Sequence, residues 1–236
     1  STTARNEYRG TYLAISATYF DYGIHQNNEL SLGSPRFKID LGTTASTVTV
    51  YDTSITGADA GLPSLRIKCV SASTDVYVRH APSGVGIACD VPGEASTVRK
   101  VSISEKTEAG ALVTTGLGTT ITTWEQDGGT NLLRAAGTVT TVTQRGGSLK
   151  TEGDWTLTTA NAYKGTFFQT HWKTGSNATI GTLNLYGGIV DFSGNSGART
   201  VTTINLLGPC KIKGAGANVT WTTLTLSPAW ELAGVA

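Results

Sequence analysis

One four-residue phrase recurs through the second half of the chain and limits what it can fold into. An apolar residue is followed by two small residues, usually Thr, and then by a residue that is usually apolar. It reads Ile121-Thr-Thr-Trp124, Val139-Thr-Thr-Val142, Leu157-Thr-Thr-Ala160, Ile180-Gly-Thr-Leu183, Val201-Thr-Thr-Ile204 and Trp221-Thr-Thr-Leu224. Successive starts lie 18, 18, 23, 21 and 20 residues apart. A glycine marker keeps the same step, because Gly129, Gly147, Gly165 and Gly188 recur at 18, 18 and 23. Two markers sharing one period define a structural repeat. A looser form continues upstream as Ala45-Ser-Thr-Val48, Ala72-Ser-Thr-Asp-Val76 and Ala95-Ser-Thr-Val98, giving about nine units between residues 37 and 227.

The unit is built from strands. Phe37, Ile39 and Leu41 alternate with Arg36, Lys38 and Asp40, and the pairs Val48/Val50, Leu65/Ile67, Val76/Val78 and Leu183/Leu185 keep the same step of two. Period two with β-branched enrichment marks half-buried strands. Glycine interrupts almost every window long enough for an amphipathic helix. Repeats of this length with short strands and glycine corners describe the coils of a solenoid. The expected fold is all-β, a parallel β-helix (β-solenoid) of about nine coils. Variable coil length favours the right-handed form, since the strict hexapeptide of left-handed solenoids is absent. At strand spacing such a rod is about 43 Å long.

The repeat also accounts for the composition. The chain holds 40 Thr and 29 Gly among its 236 residues. In-register parallel coils place like above like, so Thr builds hydroxyl ladders and Gly serves corners. A Thr array could instead match an ice lattice, but Trp124, Gln126 and Arg145 interrupt the flat Thr-x-Thr rows that such a face needs.

Three regions follow: an N-terminal cap or docking segment over 1–36, the solenoid over 37–227 and a C-terminal cap over 228–236. The first carries Tyr8, Tyr12, Tyr19, Phe20 and Tyr22, five of the chain's 18 aromatics, and a strand is expected from Tyr12 to Tyr19. An open solenoid end must be covered. Tyr and Arg also favour interfaces, so Arg5, Tyr8, Arg9, Tyr12, Tyr19, Phe20 and Tyr22 are the candidate docking residues. Pro228 and Trp230 fall in the segment expected to plug the other end.

Chemistry is sparse. A net charge of +1 argues against nucleic acid as a partner. No run of 18 apolar residues exists, and neither a membrane span nor a leading signal segment is expected. Position 1 is Ser and Met is absent, which fits removal of an initiator. Cys69, Cys89 and Cys210 show no metal spacing and read as buried small hydrophobes, with a Cys69–Cys89 bridge as the alternative. His25, His80 and His171 are isolated. The acids Glu125, Asp127, Glu152, Asp154 and Asp191 gather in one region, yet Glu125 aligns with Thr143 of the next coil, so no catalytic carboxylate pair is expected. Trp124, Trp155, Trp172 and Trp221 occupy different places in their coils, which favours packing over sugar stacking. No catalytic residue, cofactor or metal is expected.

The strings TVTTVTQRGGSLKTEGDWTLTT, IGTLNLYGGIVDFSGNSGARTVTTINL and LGTTASTVTVYDTS resemble β-helical virion proteins of tailed bacteriophages, over about residues 37–227. The resemblance implies a non-enzymatic decoration or cement protein on the outside of a phage head. Its partner would be the major capsid protein, with trimers at symmetry axes and synthesis in the host cytoplasm. The alternative is a tailspike-like β-helix that binds or cleaves a polysaccharide.

Overall fold

The computed structural model describes residues 11–15, 18–22, 37–40, 45, 47–50, 65–79, 81–87, 96–104, 111–115, 119–134, 137–152, 155–165, 167–170, 178–193, 198–214 and 219–227. Among these residues the chain is all strand and connection, with no helix. The strands begin with β1 (Thr11–Ile15), β2 (Thr18–Tyr22), β3 (Phe37–Asp40), β4 (Thr47–Val50), β5 (Leu65–Lys68), β6 (Asp75–Val78) and β7 (Ala81–Ile87). Next come β8 (Ser96–Ile103), β9 (Ala111–Thr115), β10 (Thr119–Gln126), β11 (Thr130–Arg134), β12 (Gly137–Gln144) and β13 (Ser148–Glu152). The last are β14 (Trp155–Ala162), β15 (Phe167–Thr170), β16 (Ala178–Leu185), β17 (Gly188–Asp191), β18 (Arg199–Leu206), β19 (Cys210–Lys213) and β20 (Val219–Leu226).

From β3 onward the chain alternates between two sheets. Sheet A runs β2-β1-β4-β6-β8-β10-β12-β14-β16-β18-β20, and sheet B holds the odd strands from β3 to β19 in sequence order. Every pairing among β3 to β20 is parallel, so the fold is a β-solenoid. Between the sheets lies one apolar core, with Val48, Ile67, Val101, Trp124, Leu149, Leu183 and Val190 all buried.

The phrase identified in the sequence is the register of sheet A. Val139 pairs with Leu157, Leu157 with Ile180, Ile180 with Val201 and Val201 with Trp221. About nine coils were expected; from β10 to β20 the solenoid has about five strictly repeating turns, and upstream the strands are less regular, with β4 and β6 only four residues long. One upstream alignment needs correction. Val98 pairs with Ile121 and Val101 with Trp124, so the phrase of β8 is Val98-Arg-Lys-Val101, three residues later than Ala95-Ser-Thr-Val98.

Simple alternation cannot put the first and fourth residues of the phrase on one side, since three steps reverse the face of a strand. The burial of β10 and β14 shows how the chain manages it. Positions one, three, six and eight point inward, while four and five both point outward. The ladder skips position four in each turn, passing for example from Ile180–Val201 to Thr182–Thr203. The Thr-Thr step is therefore a bend, and it lets both flanking apolar residues reach the core.

The glycine marker sits where successive corners touch. Gly147 has φ 69°, and a Cβ there would fall 2.3 Å from Gly129 O. Gly188, with φ 81°, would bring a Cβ to 2.5 Å from Gly165 O. Both the left-handed conformation and the close approach demand glycine.

At the N-terminal side, one strand was expected from Tyr12 to Tyr19. The structure has a hairpin instead, with Ile15 opposite Thr18. β1 joins β4 antiparallel, through Leu13–Val50, Ala14–Thr49 and Ile15–Val48. An antiparallel pair needs only a short connection, whereas a parallel one needs a whole coil. Among the described residues β20 is the last strand of sheet A, and Trp221, Leu224 and Leu226 are 39%, 50% and 38% exposed although they occupy inward positions.

Candidate functional site: the hairpin and the outer surface of sheet A

Of the candidate docking residues, Tyr12 lies in β1, opposite Asp21, and Tyr19, Phe20 and Tyr22 lie in β2, opposite Ala14, Leu13 and Thr11. The hairpin places all four in its two strands at the edge of sheet A, Tyr12 and Tyr19 at register positions of one face and Phe20 and Tyr22 at those of the other. Arg5, Tyr8 and Arg9 lie outside the described residues, as do His25, His80, His171, Cys89, Asp154, Trp172 and the segment 228–236.

The outer surface of sheet A consists of ranks of side chains running along the rod. Position two holds Thr120, Thr138, Thr156, Thr179, Thr200 and Thr220. Position four holds Thr122, Thr140, Thr158, Gly181, Thr202 and Thr222. Position five holds Thr123, Thr141, Thr159, Thr182, Thr203 and Thr223, aligned turn on turn. The expected threonine ladders are thus present. Gly181 is the one gap, and a Cβ there would lie 2.8 Å from Thr158 O.

The residues expected to break this array do not enter it. Trp124 and Gln126 are fully buried, with Trp124 Nε1 donating to Gln126 Oε1 at 3.0 Å. Arg145 follows the end of β12 in a corner row and pairs with Asp127 at 3.2 Å. The sequence-based objection to flat Thr-x-Thr rows fails because it assumed one alternation through the whole strand. The bend at positions four and five leaves those positions outward and turns Trp124 and Gln126, at positions six and eight, inward.

Two further rows lie beside the threonines, and sequence reasoning missed both. At position seven, Asn184 Nδ2 donates to Asn161 Oδ1 at 2.9 Å, and Asn205 Nδ2 donates to Asn184 Oδ1 at 2.8 Å. In the corner row, the Tyr163 and Tyr186 rings stack with centroids 4.3 Å apart and an interplanar angle of 3°. Burial, and then the neighbouring Tyr163, push the Tyr186 hydroxyl above its ordinary pKa. Extending the phrase alignment three residues onward from Ala160, Leu183 and Ile204 would have revealed both rows.

The carboxylates are held by neighbours. Glu125 is opposite Thr143, as expected, and its carboxylate meets Lys100 Nζ at 3.0 Å. Asp127 is paired with Arg145. Asp191 accepts from Ser193 N at 2.8 Å and from its hydroxyl, which lowers its pKa. Asp75, buried at 5% exposure, accepts from Arg99 Nε at 2.7 Å and from Arg99 Nη2; that hydrogen bonding lowers its pKa against the opposing effect of burial. Such arrangements neutralise and orient carboxylates within the scaffold.

Inside, Gln126 Nε2 donates to Gly146 O at 3.0 Å and Gln144 Nε2 to Gly147 O at 2.9 Å, so buried amides tie strand ends to corners. Arg199 is buried, donates to Phe192 O, and has its pKa lowered by desolvation. Cys69 is fully buried, as expected, and burial raises the pKa of Cys210. Trp124 and Trp155 pack in the core, as expected. Among the described residues no three His, Cys, Asp or Glu side chains gather as a metal site.

Comparison with family models, curated proteins and solved structures gives no match to this chain.

Proposed function

We propose that this chain is a structural, non-enzymatic virion protein that decorates or cements the outside of a phage head, with residues 1–36 docking it to the major capsid protein. The observation that carries the reading is the break in repeat at one end of sheet A. A hairpin bearing Tyr12, Tyr19, Phe20 and Tyr22 adds antiparallel to β4, where the parallel stack would otherwise present an open edge. Such an element gives an otherwise uniform rod one end unlike the rest. Aromatic anchors are suited to a protein interface. The rigid stack supports the same role, because a partner that binds only the assembled shell stabilises it by mass action. The phage-like strings supply the identity of that shell, and trimers at symmetry axes are the expected assembly.

Cryo-EM of the native particle tests the reading: density for this chain on the capsid lattice supports it. Location at the tail tip with release of reducing sugar overturns it in favour of the tailspike-like alternative. Deleting residues 1–22 should abolish capsid binding while leaving the β signal in circular dichroism; survival of binding removes the docking role from the hairpin.

A further inference from the structure

Seventeen of the eighteen outward places at positions two, four and five of β10 to β20 are Thr, and none is charged. Strand propensity does not require this, since Val, Ile and Tyr serve a strand as well. Solubility does not require it either, since a solvated sheet face ordinarily mixes Lys and Glu, which also deter association. This protein uses charge freely beside the array: Arg99 and Lys100 adjoin it on β8, and Lys100, Glu125, Asp127 and Arg145 form ion pairs next to it. Among the described residues, charge lies beside these three ranks and not within them.

The array is regular in two directions. Turns repeat at about 4.8 Å along the rod, and positions two and four stand about 6.7 Å apart along each strand. Register is fixed by the parallel ladders, with Thr138, Thr156, Thr179, Thr200 and Thr220 paired in succession. Each Thr offers one methyl and one hydroxyl on a β-branched side chain with few rotamers, so little entropy is lost when a partner orders it. The methyl restricts adjacent water, and the hydroxyl both donates to and accepts from it. A partner matched to this surface must be uncharged, periodic in two directions and recognised by single hydroxyl and methyl groups. Protein surfaces without such a repeat lack that periodicity, and a second copy of this face would show itself as self-association. Sugar chains ask for aromatic platforms, and none of the three threonine ranks carries an aromatic residue; Tyr163 and Tyr186 stand outside them in the corner row. Crystalline water meets all three demands.

We propose that the threonine face of sheet A binds the surface of ice. The proposal is independent of where the chain is anchored, and deletion of residues 1–22 does not touch this face. Full-length protein in supercooled buffer should open a gap between melting and freezing points, shape ice crystals into facets and slow recrystallisation. Thr158→Lys, at the centre of the face and exposed, should lose most of that gap. Thr158→Ser, which retains the hydroxyl, should lose less. Lys211→Ala, on an exposed residue of sheet B, should keep it all. Circular dichroism and a urea midpoint for each variant confirm that the rod is intact. A wild-type protein without a freezing gap or crystal shaping overturns the proposal. So does a folded Thr158→Lys variant with undiminished activity. If the wild type is inert on ice but self-associates, and Thr158→Lys disperses it, the face is an interface between copies and the proposal is equally overturned.

Discussion

Asn184 stands between two asparagines, donating to Asn161 Oδ1 at 2.9 Å and accepting from Asn205 Nδ2 at 2.8 Å. Each amide has one donor side and one acceptor side, so a column of them is satisfied along its length without charge. The solenoid supplies the condition this needs, an identical strand position in consecutive turns.

Asn184→Ala removes both bonds and should cost about 1–2 kcal/mol, whereas Asn205→Ala removes only its bond to Asn184 among the two and should cost less. Urea denaturation of the two variants checks this; equal losses would show that the ladder contributes no more than its individual side chains.

Gln126 is a buried junction. It accepts from Trp124 Nε1 and from Asn131 Nδ2 and donates to Gly146 O. Gln126→Leu keeps the bulk but strands the indole N–H in the core, so a loss of about 2 kcal/mol or more is expected. A red-edge change in Trp fluorescence together with the lowered urea midpoint would locate the effect at Trp124.

Gly147 and Gly137 separate conformation from contact. Both have positive φ, 69° and 74°, but a Cβ at Gly147 meets Gly129 O at 2.3 Å while one at Gly137 meets nothing within 4 Å. Gly137→Ala should cost about 1 kcal/mol for the left-handed backbone alone. Gly147→Ala should cost clearly more, because two corners must separate. Comparable thermal midpoints for the two variants would refute the close-contact account.

Asp75 gives the rod a sign-defined acid response. Arg99 holds its folded pKa below the ordinary carboxylate value. A depressed folded pKa stabilises above the unfolded pKa of about 3.9, and the contribution disappears as pH falls through the folded value. Asp75→Asn should be less stable than wild type at pH 7, with the difference shrinking below pH 4. A difference in urea midpoint that stays constant from pH 7 to pH 2 would contradict this. Arg99 is 57% exposed, so the pair is screened and its effect is modest.

The sequence was most readable where the repeat is strict. The phrase and its glycines located β10 to β20, their register and the core positions, because in-register stacking forces like residues to recur at like places. It was less readable upstream, where Val98 rather than Ala95 opens the phrase of β8, since longer connections loosen the spacing. The docking candidates were legible as an aromatic cluster, but their hairpin was not. The pairing of Ile15 with Thr18 and of Leu13 with Val50 depends on partners distant from the local pattern.

By itself, then, the sequence determined an all-β solenoid, its threonine ladders and its glycine corners, all consequences of one period. Tertiary structure alone decided which way each residue of the phrase points. Alternation counts faces along a straight strand, and this strand bends between its two threonines. That bend buries Trp124 and Gln126, turns Thr158 and Thr159 outward together, and makes a threonine face, with its one gap at Gly181, from a string that reads as interrupted.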